Sequence, residues 1–279
     1  MGRDIDTAER DSLESPRFPE QARSQGPPLE RERQNIRERA ALMSASERET
    51  LREIGSFRMI AAEDLTRHRY AGDPVRMRQD VRGLINQGLL RRREVWTGGQ
   101  NRKFTVLVLT KAGRTALLRQ GEANRCQEIY AGFVKPAEVY HDAAIYRMYQ
   151  LEAGKIRQVG GRVTRVILDY ELKKKVYSPL AKTKNLSHAE YAKRQAEIAR
   201  AHGLKVIRGH ILLPDLRIEY EKPNGERAQV DLELATQHYR GSQVRGKAAA
   251  GFKMYAPKAS VARLSSAFDP EFVAQIFSL

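Results

Sequence analysis

Two consecutive strand-like runs, residues 211–220 and 229–234, constrain the fold of this chain more than any other feature. Both runs interleave apolar side chains with charged or polar ones, which is typical of β-strands. The link between them contains Asn224-Gly225, a pair that favours a tight hairpin turn. The sequence therefore predicts two adjacent, antiparallel strands.

Alternation along these strands brings carboxylates together. Because side chains two residues apart share a face of a strand, Asp215 lies on the polar face of the first strand, and Asp231 and Glu233 lie together on the second. Converging carboxylates repel one another unless a cation neutralises them, which is how a magnesium or manganese site for phosphodiester chemistry is built. The spacing is equally consistent with half-exposed strands whose carboxylates are solvated.

A basic helix is predicted directly after the second strand. Residues 241–255 place four small or apolar side chains at helical spacing, namely Val244, Ala248, Gly251 and Tyr255. The same segment contains Lys247 and Lys253 but no acid. Six residues turn a helix through about 600°, so these lysines lie roughly 120° apart and only one can face the acids. Lys247, at the edge of the apolar stripe, is predicted to be that one.

The order of these motifs resembles the PD-(D/E)xK nuclease superfamily: Leu213-Pro-Asp215 on one strand, Asp231-Leu-Glu233 on the next, then a helix. The resemblance implies a restriction-endonuclease-like α/β core in which Asp215 and Glu233 bind magnesium or manganese, if the site is active, and Asp231 assists. The lysine that members carry two residues after the second acid corresponds here to Glu233 or Ala235. Lys247 or Lys253 is therefore the implied substitute, and the implied catalytic residues are Asp215, Asp231, Glu233 and Lys247.

The charge of the chain predicts the class of its partner. The formal net charge is +16 over 279 residues, which favours binding to a polyanion, and nucleic acid is the commonest of these. No apolar run approaches the roughly 20 residues that span a bilayer, and the N-terminus lacks a signal-peptide core, so we expect a cytoplasmic protein without a membrane partner. A single cysteine, Cys126, fits a reducing compartment and excludes an internal disulfide framework.

Composition divides the chain into three parts. Residues 1–43 are rich in Arg, Glu, Ser and Pro, and they predict a disordered or partly helical charged tail. Residues 44–120 form one predicted domain, and residues 121–279 form a second with an insertion at about 173–203. In the second domain, residues 138–152 are predicted to be a helix and residues 163–172 the first strand. His141 and His210 are interpreted as structural residues, because single histidines are rarely ligands.

Three helices are predicted in the first domain. Ser46 and Glu49 fit a capping box at the start of the first helix. Residues 60–70 fit a short second helix. The third helix is basic, starts with Val75 on its apolar side and ends at Gly88, which fits a left-handed cap.

A hairpin and a fourth helix follow. Strand-like runs at 89–96 and 102–109 flank a glycine-containing turn, and Thr110 fits the cap of the next helix. This order resembles the winged helix-turn-helix of many bacterial regulators, and segments 83–90 and 109–114 carry the resemblance. It implies that the third helix enters the major groove and that the hairpin, or wing, contacts the DNA backbone or minor groove.

Basic residues concentrate on the third helix and the hairpin. The predicted DNA-binding residues are Arg76, Arg78, Arg82, Arg91, Arg92, Arg93, Arg102 and Lys103. Only Asp80 and Glu94 oppose them in this stretch, which favours a phosphate-binding surface. The alternative is a winged helix that contacts protein, with its arginines solvated.

Together, a winged helix and an acid-bearing hairpin followed by a basic helix resemble the replication-relaxation family of bacterial plasmids and mobile elements, over about residues 46–260. The resemblance implies an α+β fold and a sequence-selective protein that binds double-stranded DNA in replication, transfer or transcriptional control. Because the usual lysine is missing, we expect the nuclease-like domain to be degenerate and to serve in DNA contact or in a homodimer. The alternative is a magnesium-dependent DNA endonuclease.

Overall fold

Helices and strands mix along the chain, in agreement with the predicted α and β content. The computed structural model describes residues 43–96, 103–119, 127–135, 138–183, 185–235, 239, 241–257 and 276–278. Except for Met43, the predicted tail at 1–43 lies outside the described residues, and so do Arg102 and Cys126.

The first part of the chain has three helices before a hairpin. Its elements are α1 (Ala45–Ser56), β1 (Ile60–Ala61), α2 (Ala62–Arg69), α3 (Pro74–Asn86), β2 (Leu90–Trp96), β3 (Lys103–Leu109) and α4 (Lys111–Arg119). Strand β3 pairs antiparallel with both β1 and β2, so the sheet order is β1-β3-β2. The predicted helices and hairpin are therefore present, with the short strand β1 in addition.

The first helix begins two residues earlier than predicted. The Ser44 side chain accepts a hydrogen bond from the backbone of Glu47, whose carboxylate accepts one from the Ser44 backbone. The pattern of a serine three residues before a glutamate occurs twice here, and the helix uses the first copy. The predicted capping box at Ser46 and Glu49 is therefore wrong, and the Ser46 hydroxyl instead donates to Asp80.

Helix α3 has well-defined ends. The Asp73 side chain accepts hydrogen bonds from the first backbone amides of the helix, and Pro74 supplies a preset φ at its first position. Gly88, with φ of +72°, follows the helix, as predicted. Val75 is 63% exposed rather than buried, because the buried stripe of α3 begins one half-turn later, at Met77.

The second part of the chain is built on a five-stranded mixed sheet. Its elements are α5 (Val139–Gln158), β4 (Arg162–Leu168), α6 (Asp169–Ala181), α7 (His188–Ala201), β5 (Val206–Ile207), β6 (His210–Ile211), β7 (Leu216–Glu221), β8 (Arg227–Leu234), α8 (Gly241–Ala250), β9 (Lys253–Ala256) and β10 (Ile276–Ser278). The sheet order is β10-β9-β8-β7-β4. Strands β4, β7 and β8 are antiparallel neighbours, whereas β9 runs parallel to β8 and β10.

The predicted hairpin is confirmed. Strands β7 and β8 pair in antiparallel register, and Gly225 at their turn has φ of +82°, which glycine adopts without strain. The backbone amide of Lys222 donates to the carbonyl of Glu226 at 2.8 Å and closes the turn.

Two predicted elements end earlier than their sequence patterns suggest. The strand predicted at 163–172 stops at Leu168, because the following residues bury Leu172, Val176 and Leu180 at helical spacing on α6. The helix predicted at 241–255 stops at Ala250, since Gly251 takes φ of +90° and turns the chain into β9.

The core is shared between the two parts of the chain. Phe57, which follows α1, packs edge-on against Tyr146 of α5, with ring centroids 5.1 Å apart. Tyr146 also donates a hydrogen bond to Glu53 of α1 at 2.6 Å. Both rings belong to one cluster of buried side chains that extends from α1 to the large sheet. Among the helices of the described residues, none has the length and apolarity to cross a membrane.

Candidate functional site

The hairpin register places Asp215 and Glu233 side by side. Arg217 pairs with Asp231 across β7 and β8, so position 215 lies opposite position 233. The Asp215 amide donates to Glu233 Oε2 at 3.2 Å, and the Leu234 amide donates to Asp215 Oδ2 at 2.8 Å. Each carboxylate is therefore fixed by the backbone of the other strand, as the predicted pairing requires.

Lys247 completes this acid pair. Its ammonium lies 2.7 Å from Glu233 Oε1 and donates to the carbonyl of Leu213 at 2.6 Å. The predicted placement of Lys247 against the acids is confirmed for Glu233. Lys253 lies on β9 and pairs with Glu152 at 2.6 Å instead.

Glu233 is the most buried member of the site, with 1% of its side chain exposed. Burial raises the pKa of Glu233 and the charge of Asp215 raises it further, whereas Lys247 and a hydrogen bond from Tyr239 lower it, so that it reaches about 7. The Glu233 carboxyl therefore titrates near neutral pH, where a solvated glutamate is fully ionised.

His141 is a member of the site that the sequence interpretation missed. Its Nε2 lies 3.4 Å from Asp215 Oδ1, and its Nδ1 lies 3.5 Å from Asp142 Oδ1. Burial lowers the pKa of His141, but these two carboxylates raise it more, to about 10. The imidazole is therefore a cation at neutral pH. No spacing in the sequence indicates this contact, because α5 and β7 meet only in the tertiary structure.

Asp231 has a different partner. Both of its oxygens accept hydrogen bonds from the Arg217 guanidinium, at 2.6 and 2.8 Å. Arg217 is buried and also donates to the carbonyls of His202 and Gly203. Arg217 thus connects the segment after α7 to the sheet, and its bidentate pairing holds Asp231.

Two further buried acids have separate partners. Glu152 is buried and contacts Lys253 and Tyr255, and Glu171 pairs with Arg165 and Lys175. Neither contact involves Asp215 or Glu233. His210 is exposed on β6.

The arrangement does not provide a ready site for magnesium or manganese. Within the described ranges, no group of three or more His, Cys, Asp or Glu side chains is placed to hold a metal ion. Both oxygens of Glu233 already accept hydrogen bonds, from the Asp215 amide and from Tyr239, and Lys247 neutralises it. A divalent ion at Glu233 would have to displace Lys247, so the metal role of Asp215 and Glu233 stays a prediction.

The exposed face of α3 is basic. Arg76, Arg78 and Arg82 are all exposed, and no acid is exposed on this helix. Asp80 points inward, where it accepts hydrogen bonds from Ser46 and from Tyr70 at 2.9 Å. The outward charge of α3 is therefore positive along its length.

The other predicted basic residues that the structure describes lie in the hairpin, and their contacts differ. Glu94 pairs with Arg92 at 3.2 Å and with Lys103, and Arg93 lies 4.8 Å from the ring centroid of Phe133. Arg91 is exposed beside them. Near the end of β2, Trp96 is 63% exposed. The hairpin thus presents cations and an exposed aromatic ring, with the Lys103 ammonium 5.8 Å from the ring centroid of Trp96.

Comparison of the chain with family models, with curated proteins and with solved structures finds no match. The functional assignment therefore depends on the geometry of the Asp215–Glu233 site and of the basic surface on α3 and the hairpin.

Proposed function

We propose that this chain is a double-stranded DNA-binding protein in which the first three helices and hairpin act as a winged helix. The observation that carries the proposal is the exposed face of α3, where Arg76, Arg78 and Arg82 project and no acid of that helix is exposed. Such a helix attracts phosphates and can place arginine side chains at guanine edges in the major groove.

Two further features support DNA as the partner. Helix, short strand, two helices and hairpin follow one another in an order that suits a winged helix. The net charge of +16 also favours a polyanionic ligand over a protein surface of mixed charge. The proposal also includes membership of the replication-relaxation family and action in plasmid replication or transfer. It further includes a cytoplasmic location and homodimer formation.

The second part of the chain is proposed to be a nuclease-like domain in which internal cations neutralise the acid pair. Lys247 contacts Glu233, and the protonated His141 contacts Asp215. Acids that the chain itself neutralises favour a role in DNA contact or assembly over cleavage.

A second candidate function, a magnesium-dependent endonuclease, has one observation in its favour. Lys247 of α8 lies 2.7 Å from Glu233, a position that suits a substitute for the lysine that the sequence lacks after the second acid. When bound, a divalent ion would supply a water of lowered pKa near the scissile phosphate. Incubating plasmid DNA with the protein and magnesium or manganese separates the two candidates.

DNA binding is tested by fluorescence anisotropy with a labelled duplex at several salt concentrations. The triple variant Arg91→Ala, Arg92→Ala, Arg93→Ala should lower affinity for every sequence alike and reduce the salt slope by about 0.9 for each phosphate that the variant no longer neutralises. Arg194→Ala, an exposed arginine on α7, is the matched control. Unchanged affinity in the triple variant and in α3 variants would refute the proposed interface.

A further inference from the structure

Helix α6 exposes a stripe of aromatic and cationic side chains outside its buried face. Its buried side uses Leu172, Val176 and Leu180, which pack in a cluster with residues of α7 and β6. On another side, Tyr170 is 60% exposed and Tyr177 is 50% exposed. Large aromatic rings left in water on a folded surface commonly mark a binding site.

The four side chains of the stripe share one face of the helix. At 100° per residue, Tyr170, Lys173, Lys174 and Tyr177 fall within about 100° of one another. Both lysines are exposed. Lys173 pairs with Asp169 at 2.5 Å. We call these four residues the α6 stripe.

The α6 stripe begins at the acid pair. Asp169, the residue before Tyr170, donates its backbone amide to the carbonyl of Asp215 at 3.1 Å. The guanidinium of Arg58, which pairs with Glu138 and Asp142, lies 6.0 Å from the ring centroid of Tyr170 at this end. One end of the stripe therefore adjoins the backbone of Asp215.

We propose that the α6 stripe binds single-stranded nucleic acid, with bases stacked on Tyr170 and Tyr177 and the backbone held by Lys174. Two aromatic faces with a lysine between them are the elements with which proteins bind single strands without sequence preference. Seven residues of helix separate the tyrosines by about 10 Å, a spacing that accommodates two or three nucleotides of an extended strand. A duplex offers no free base faces to such rings.

This inference rests on the proposed nucleic-acid function, but it concerns a separate surface. The winged helix is proposed to hold the duplex, and the α6 stripe would hold a strand that has left it. The strand would then run toward Asp215 and Glu233.

The test is fluorescence anisotropy of a labelled oligothymidylate with the full-length protein. The double variant Tyr170→Ala, Tyr177→Ala should weaken its binding about tenfold or more, since a base stacked on an aromatic ring contributes substantially to affinity. The matched variant Tyr170→Phe, Tyr177→Phe keeps both rings and should bind like the wild type. Lys174→Gln should reduce the salt slope by about 0.7, the amount expected when one phosphate of a single strand is no longer neutralised.

The outcomes separate this inference from the proposed function. Unchanged oligothymidylate affinity in the alanine variant, or equal losses in the alanine and phenylalanine variants, overturns stacking on the α6 stripe. Failure of the wild type to bind oligothymidylate overturns it too, even if duplex binding through α3 persists. Binding of oligothymidylate that depends on the tyrosines, without duplex binding, supports the stripe and refutes the winged-helix proposal. Thermal melting of each variant verifies that the fold is retained.

Discussion

Replacing Glu233 with glutamine removes one buried charge from the acid pair and keeps the size and an acceptor oxygen of the side chain. Burial and Asp215 raise the pKa of Glu233 from 4.5 to about 7, after the lowering effects of Lys247 and Tyr239 are included. Between these two pH values the folded protein keeps a proton that the unfolded chain releases. The glutamine variant mimics the protonated form at every pH.

The sign of the effect follows from this difference in bound protons. Because the folded state binds the extra proton, the free energy of unfolding of the wild type falls as pH rises from 4.5 to 7. A pKa difference of this size corresponds to on the order of 3 kcal/mol. The glutamine variant does not undergo this pH-dependent fall in unfolding free energy. We therefore expect Glu233→Gln to be more stable than the wild type above pH 7 and to lose that advantage toward pH 4.5.

Urea denaturation of wild type and variant across this pH range measures the difference directly. Other groups titrate in both proteins, so subtracting the two stability curves isolates Glu233 and its coupling to Asp215. Glu226→Gln is the matched control, since Glu226 is exposed in the hairpin turn between β7 and β8. The raised pKa of Glu233 would be refuted by a variant that is less stable than the wild type above pH 7. A difference in unfolding free energy that does not change with pH would refute it as well.

Arg76→Ala and Arg78→Ala should each weaken the preferred duplex by about 1–3 kcal/mol and relax preference at one base position, as measured by anisotropy with substituted duplexes. Unaltered base preference in both variants would show that α3 does not bind in the major groove. Lys247→Met should abolish any plasmid cleavage seen with magnesium or manganese while duplex affinity stays the same, and cleavage that continues would exclude Lys247 from the reaction. His141→Gln should lower the free energy of unfolding most below pH 6.5, and the difference should disappear as pH rises through about 10, where the wild-type imidazolium is lost. The side chain is 37% exposed, so water screens its contacts, and a pH-independent difference in urea denaturation would contradict the ion pairs.

Local elements of this protein follow from its sequence alone. The β7–β8 hairpin follows from Asn224-Gly225, and the end of α3 follows from Gly88, because both positions adopt positive φ that glycine tolerates. The cap of α4 at Thr110 also follows from the sequence, and the Thr110 hydroxyl accepts from the Gly113 amide at 3.0 Å. Alternation along two paired strands predicted that Asp215, Asp231 and Glu233 come together, and the register of the strands places Asp215 beside Glu233. These features depend on residues close in sequence or on a single short turn.

Element ends were harder to predict where two signals compete. The capping pattern occurs twice near Ser44, and the helix uses the first copy while Ser46 contacts Asp80 of α3. Past Leu168 and Ala250, apolar residues continue at spacings that suit either a strand or a helix. The fold resolves both cases, through the burial of α6 and through the pairing of β9 with β8.

Which charges meet depends on the tertiary structure. His141 contacts Asp215 because α5 packs against β7, and these residues are 74 positions apart in the sequence. Asp231 and Glu233 lie on one face of β8, yet Arg217 pairs with the first and Lys247 with the second. Sequence spacing specifies the face on which a side chain lies but not the cation packed against that face from another element. The charge state of the acid pair is therefore set by packing between distant segments, which bury its carboxylates and supply their partners.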